Sequence, residues 1–192
     1  MKFIDITTDK QTLYTLAANE KIVFFMLNRS DTITFDLTGE NAEAHIFAFF
    51  KGKNSDKTTL NLIQKHLAPN TVSHALIKSA LYDKATFSYN GLIRIEQDAP
   101  LSDASQECRT LILSPEATSS AKPALEILTD DVRCRHAATT SSPDAEQLFF
   151  MESRGLSKTQ AIELLAFGFF KDALEKIQAL GINTESINAK IS

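Results

Sequence analysis

Residues 123–155, PALEILTDDVRCRHAATTSSPDAEQLFFMESRG, hold the change of pattern that decides the fold. As far as Ala137 the stretch reads as strand, and beyond it as helix. Ser142 with Pro143 behind it, then Asp144 and Glu146, forms a helix start with acids in the first turn. That helix runs to Arg154 and stops at Gly155, the residue type favoured just past a helix end. Inside the strand portion Cys134 stands two positions before His136. Alternate side chains of an extended segment share a face, roughly 6–7 Å apart. Thiol and imidazole therefore point one way, able to share a metal ion or a cluster, while Arg133 and Arg135 project from the other. Taken singly, Cys134 also reads as a small buried hydrophobe and His136 as a hydrogen-bonded structural imidazole.

Upstream, from Lys21 to about Leu128, short apolar segments alternate with polar punctuation. Lys21–Asn28, Thr32–Leu37, Ala44–Phe50, Thr58–Gln64, Val72–Leu81, Ala85–Tyr89, Leu92–Glu96, Arg109–Leu113 and Ala124–Leu128 read as strands, several in period two. Turns are expected at Asn28–Asp31, Gly39–Asn41, Gly52–Asp56, Pro69–Asn70, Asn90–Gly91 and Ser114–Pro115. No 10–15-residue helix separates these strands, which excludes βαβ units and leaves a sandwich, a barrel or a β-solenoid. No fixed-period repeat is visible, so a solenoid would be irregular. Downstream, Ser157 with Gln160 forms a capping box for a second helix. Ile162, Leu165, Phe169 and Ala173, with Ala166, Phe170, Leu174 and Ile177, make its wide apolar stripe, and Gly181 ends it. Thr184–Ile191 is expected to add a further turn or two. The sequence thus divides into a mainly β core over 1–140 and a small C-terminal helical region over 141–192.

The 192 residues suffice for one ordinary domain with an appendage. A formal net charge of −4 and scattered Lys and Arg argue against nucleic acid as a partner. The two cysteines make no disulfide framework and point to a reducing compartment. MKFIDITTDKQ lacks the apolar core of a signal peptide, and no apolar run reaches the ~20 residues that span a bilayer, so a cytoplasmic protein without membrane contact is expected. Walker loop, G-x-S-x-G elbow, H-E-x-x-H helix and paired C-x-x-C knuckles are all missing. Asp130–Asp131 are adjacent and would point apart on a strand, so they read as a strand-end turn. A β-solenoid carbohydrate enzyme would need carboxylates clustered on one face, which the sequence lacks. Cys108 reads as a core-facing strand thiol, and His45, His66 and His74 as surface or structural residues. Phe167, Phe169 and Phe170 carry more bulk than one helix face needs, either as core or as a docking surface for another protein.

Collinear pieces from about residue 60 to 172 resemble the SufB/SufD family of iron–sulfur cluster assembly components. They are HLAP (66–69) with Ser73, YDKATFSYNG (82–91), SDASQ (102–106), RTLILS (109–114) and PALEI (123–127), followed by DDVRCRHAAT (130–139), QLFF (147–150), SRGL (153–156) and GFFKD (168–172). The resemblance implies a right-handed parallel β-helix of few turns followed by C-terminal helices. It also implies a non-enzymatic scaffold whose B-type and D-type subunits pair through their β-helices and bind a SufC-like ABC ATPase through those helices. The candidate ATPase contacts are Phe149, Phe150, Arg154, Gly155, Phe167, Phe169 and Phe170. The D-type DDV-x-C-x-HGAT sequence is matched by Asp130, Asp131, Val132, Cys134, His136, Ala138 and Thr139, with Ala137 in the glycine position. His136, with Cys134 beside it, is thereby the candidate ligand of an iron–sulfur cluster held transiently and shared with a partner. The loop cysteine of the B-type has no counterpart around Glu116–Thr118, so the chain is similar to a shortened D-type. It would lack the family's N-terminal helical region and early turns. The partner would be a SufB-like subunit or a second copy. The alternative is a purely structural adaptor or homodimer in which Cys134 and His136 merely pack.

Overall fold

The computed structural model describes residues 1–191. Eleven strands are followed by three helices: β1 (Lys2–Asp5), β2 (Leu13–Leu16), β3 (Lys21–Leu27), β4 (Asp31–Leu37), β5 (Glu43–Gly52), β6 (Lys57–His66), β7 (Val72–Leu81), β8 (Thr86–Ile95), β9 (Ser102–Ile112), β10 (Thr118–Ile127), β11 (Val132–Ser141), α1 (Ala145–Ser153), α2 (Lys158–Ala179) and α3 (Glu185–Ile191). Odd-numbered strands form one six-stranded sheet in the order β1-β3-β5-β7-β9-β11, and even-numbered strands a five-stranded sheet in the order β10-β8-β6-β4-β2. Every pairing is parallel. Consecutive strands thus alternate between two facing sheets, and each turn of the chain stacks on the one before. This is a parallel β-helix followed by helices, the longest of which packs on the outer face of the six-stranded sheet.

The coil lengthens along the chain, which hides the repeat. Lys2 lies opposite Ile22, Lys21 opposite Glu43, Glu43 opposite Val72, and Val72 opposite Asp103. What repeats instead is turn chemistry. Asn19, Asn41 and Asn70 occupy one column of corners, all with φ between 56° and 63°. Each donates its backbone N–H to a carbonyl of the next turn: Glu40, Pro69 and Pro100. Asparagine tolerates this left-handed conformation better than other side-chain-bearing residues. In the next corner of the column stands Leu101, at φ 60° and exposed, with its N–H on the Asp131 carbonyl.

Inward-facing side chains fill the lumen between the sheets. In the early turns this core is aromatic and aliphatic: Phe35 lies 5.3 Å from Tyr14 and 4.8 Å from Phe24, centroid to centroid. A second apolar layer covers the outer face of the six-stranded sheet. There Phe25, Phe49, Leu76 and Ala80 meet Ala166, Phe170, Ala173 and Ile177 of α2. Full burial of each large side chain contributes about 1.5–3 kcal/mol. Ser157 closes the expected capping box with Gln160, and Gly155 and Gly181 take positive φ beyond their helices.

Three local readings are corrected. Asn90–Gly91 is no turn but lies inside β8, which merges two expected strands. Asn90 Nδ2 donates to Asn61 Oδ1 at 2.8 Å on the neighbouring strand, replacing the turn role with an amide ladder. Gly91 faces the lumen, where a Cβ would collide with Gln106 Oε1 and Tyr89 Oη. Second, β11 continues to Ser141, so α1 is capped by the Asp144 side chain rather than Ser142. Third, β1 and β2 precede the first expected strand. They are four residues each, too short for a period to stand out.

Candidate functional site on the last strand

β11 is the final strand of its sheet and pairs on one side only, with β9. Its neighbour in the other sheet, β10, is likewise terminal. That edge position tolerates Pro123, which could not donate to a ladder on both sides. Register settles which way the β11 side chains face. Cys134 lies opposite Ala104 and His136 opposite Gln106, both fully buried lumen residues of β9. Cys134 and His136 therefore share the lumen side, while Arg133 and Arg135 lie with Asp103 and Ser105 on the outer side. Among the described residues no further turn covers β11, and the lumen-facing His136 is exposed and Cys134 half-buried.

Cys134 packs against the small cluster of Ile93, Ile95, Ala99 and Ala104. Burial, and next the charge of Asp103, push its thiol above the ordinary value, while the Arg135 backbone N–H opposes them. At neutral pH it is thus a thiol, and ligation would have to displace its proton. His136 lines a recess of about 290 Å³ between β9 and β11 with Ser105, Gln106, Glu107, Arg135 and Ala137. Among the described residues no three His, Cys, Asp or Glu side chains converge to hold a metal ion. The strand thus offers one sulfur and one nitrogen, suited to iron. The rest of a coordination shell would come from outside the chain. Cys108, one turn below, is 1% exposed, and burial pushes its pKa up to about 12.

Below His136 the lumen is polar. His66, fully buried, places Nδ1 2.7 Å from Thr71 Oγ1 and Nε2 2.7 Å from Ser73 Oγ. Thr71 Oγ1 also lies 2.8 Å from Ser102 Oγ, and Gln64 Nε2 donates to Ser73 Oγ. Gln106 Nε2 donates to the Leu92 carbonyl, while Gln64 Oε1, Gln106 Oε1 and Tyr89 Oη have no protein partner. Of the two readings open for His66, surface or structural, its burial and hydrogen bonds fit the structural one.

The C-terminal aromatic residues separate by exposure. Phe149 and Phe150 of α1 are 73% and 58% exposed, and α1 buries none of its residues. Arg154 lies over the Phe150 ring at 4.8 Å, and Gly155 follows at φ 92°. In α2, Phe170 is buried against Phe49, and Phe167 is half-buried. Phe169 covers Lys78, a buried cation on β7 whose Nζ lies 4.3 Å from its ring centre. Lys78 donates to the Asp172 carboxylate and to the Phe169 carbonyl. Burial lowers the Lys78 pKa, and the Asp172 carboxylate opposes that fall. Bulk in α2 thus packs the helix on the sheet, whereas bulk in α1 faces outward. Among the described residues no helix is long and apolar enough to cross a membrane.

The chain is thus a two-sheet parallel β-helix that ends on a one-sided edge strand carrying a thiol and an imidazole, with helices beyond it. Residues 22–169 match the family described as SUF system FeS cluster assembly, SufBD core domain, and the chain belongs to that family. It is 29% identical over 168 residues to the iron–sulfur cluster assembly protein SufD of Bacillus subtilis, a match covering 85% of this chain and 38% of that protein. It is 29% identical over 157 residues to SufD of Escherichia coli (82% and 37%), and 37% identical over 106 residues to SufB of Bacillus subtilis (55% and 23%). The chain thus spans well under half the length of these relatives.

Proposed function

We propose that this chain is a SufD-like scaffold subunit, not an enzyme, that contributes to an assembly site for iron–sulfur clusters at a subunit interface. The observation that carries this reading is the placement of His136 and Cys134 in lumen register on an exposed, one-sided edge strand. An unpaired strand edge offers backbone donors and acceptors to another chain. A partner strand laid along β11 would bring its own side chains beside the thiol and imidazole. The cluster is cargo, assembled from ligands of both chains and passed on. DDVRCRHAAT (130–139) supports the D-type, and the partner is a SufB-like subunit or a second copy. Phe149, Phe150 and Arg154, exposed on or just after α1, support a docking site for a SufC-like ATPase, with Gly155 setting the exit of the helix. Phe167, half-buried, extends that surface, while Phe169 and Phe170 hold α2 beneath it. Nucleic acid and membrane have no part in this reading, and the compartment is the cytoplasm.

The experiment is cluster reconstitution in a complex of the full chain with its B-type and ATPase partners. His136→Ala is expected to reduce cluster yield at least about tenfold while complex assembly is retained. Cys134→Ser is expected to cost less, since its thiol is held protonated. Unchanged yield in both variants would leave the purely structural adaptor as the correct reading.

A further inference from the structure

On the outer face of the six-stranded sheet, away from the lumen, one register row runs His45, His74, Ser105, Arg135 across β5, β7, β9 and β11. Leu180 and Lys176, at the C-terminal end of α2, close over it. Together with Glu107 they line a recess of about 240 Å³ whose floor is Phe47 and Leu76 of the outer apolar layer, each 6% exposed or less. We propose that this recess is a binding site for a small phosphate-class dianion.

Charge bookkeeping around the recess supports this ligand. Two of the nearby acids, Glu43 and Glu107, are already matched. Glu43 accepts from Lys21 and lies 2.7 Å from His45 Nε2, and Glu107 pairs with Arg109 at 2.5 Å. Asp103, whose charge reaches His74, has Arg133 opposite it in register. Arg135 and Lys176, by contrast, form no ion pair among the described residues. His74 Nδ1 lies 2.7 Å from Ser105 Oγ; with the hydroxyl donating to Nδ1, the Nε2–H is left to donate to a ligand. The His45 ring is held 5.5 Å from that of His74. Two cations from different elements and an imidazole N–H, oriented by the Ser105 hydroxyl, converge on a small apolar-floored hollow. Guanidinium and ammonium groups recognise phosphate oxygens through charge-assisted hydrogen bonds. The volume lies below that of pockets enclosing drug-sized molecules, so the ligand is little larger than phosphate itself. None of these residues belongs to the lumen face that carries Cys134 and His136, so the site does not depend on the role proposed for that pair.

The test is titration of the full chain with inorganic phosphate at constant ionic strength, balanced with chloride, following the His45 and His74 imidazole resonances. Saturable shifts of both rings are expected. Arg135→Gln and Lys176→Gln, both at exposed positions, should each weaken binding at least about tenfold, with unchanged circular dichroism. Lys122→Gln, on the other sheet, should leave it unchanged. Linear, non-saturating shifts, or an equal loss in all three variants, would overturn the proposal by reducing it to general surface charge.

Discussion

The two ends of the lumen are built from opposite chemistry on one backbone. In the early turns, Tyr14, Phe24, Phe35 and Phe50 pack with Leu and Ile into a dry, interlocked core. In the later turns, inward positions hold Gln64, His66, Thr71, Ser73 and Ser102, linked by side-chain hydrogen bonds, and Gln106, which donates to the Leu92 carbonyl. Both halves satisfy the same parallel ladders, so backbone pairing does not distinguish them. The difference teaches that stability and polarity are divided along the solenoid axis. Apolar stacking secures the early turns, and the polar stretch leads up to the strand bearing Cys134 and His136.

Breaking the apolar half should have the largest effect. Phe35 is fully buried between Tyr14 and Phe24, and Phe35→Ala removes both ring contacts and leaves a cavity. A loss of about 3–5 kcal/mol is expected in urea denaturation, from lost burial and cavity formation. A loss under about 1 kcal/mol would show that the early turns are not tightly packed.

The polar half should reveal itself through pH. Burial lowers the His66 pKa from 6.5 to about 4, so the folded imidazole stays neutral where the unfolded one takes up a proton. Stability from this group is complete above about pH 6.5 and falls as the pH drops toward about 4, with a slope of up to about 1.4 kcal/mol per pH unit. The whole loss is about 3 kcal/mol at most. Denaturation midpoints of the native chain should fall across that window, and those of His66→Gln should fall less. Parallel curves would place the pH sensitivity elsewhere.

The smallest effect concerns the corners. Early turns place Asn19, Asn41 and Asn70 at positive φ, whereas the later turn strains Leu101 there. Leu101→Asn keeps the backbone bond to Asp131 and relieves the side-chain clash. A gain of about 0.5–1 kcal/mol is expected, read as a rise in melting temperature. Destabilisation would mean that the exposed Leu101 side chain makes a contribution that outweighs its backbone strain.

Much of the candidate site was legible beforehand because it rests on local rules. Period two alone puts Cys134 and His136 on one side and Arg133 and Arg135 on the other, and the register with β9 agrees. Ser157, Gln160, Gly155 and Gly181 announce helix ends through capping and positive φ, which depend only on near neighbours. Asn90–Gly91 misleads for the complementary reason. The pair is the usual turn signal, yet Asn90 is captured by Asn61 one coil away and Gly91 by the crowding of Tyr89 and Gln106. Nothing local marks the row His45, His74, Ser105, Arg135, because its members stand one coil apart and the coil length drifts. Spacing by one coil would have been the signal, had the coil been constant.

Sequence by itself determined the element types, the helix boundaries at their glycines, the shared face of the thiol and imidazole, and the family resemblance. These follow from backbone sterics and short-range periodicity, which act within a few residues. Only the tertiary structure decided that this face looks into the lumen, that β11 has a free edge, that Phe169 and Phe170 are spent on the sheet while Phe149 and Phe150 are not, and that Arg135 meets Lys176 across a hollow. Each of those facts depends on which coil stacks on which. Stacking is a long-range consequence of burying the lumen, and no local pattern encodes it.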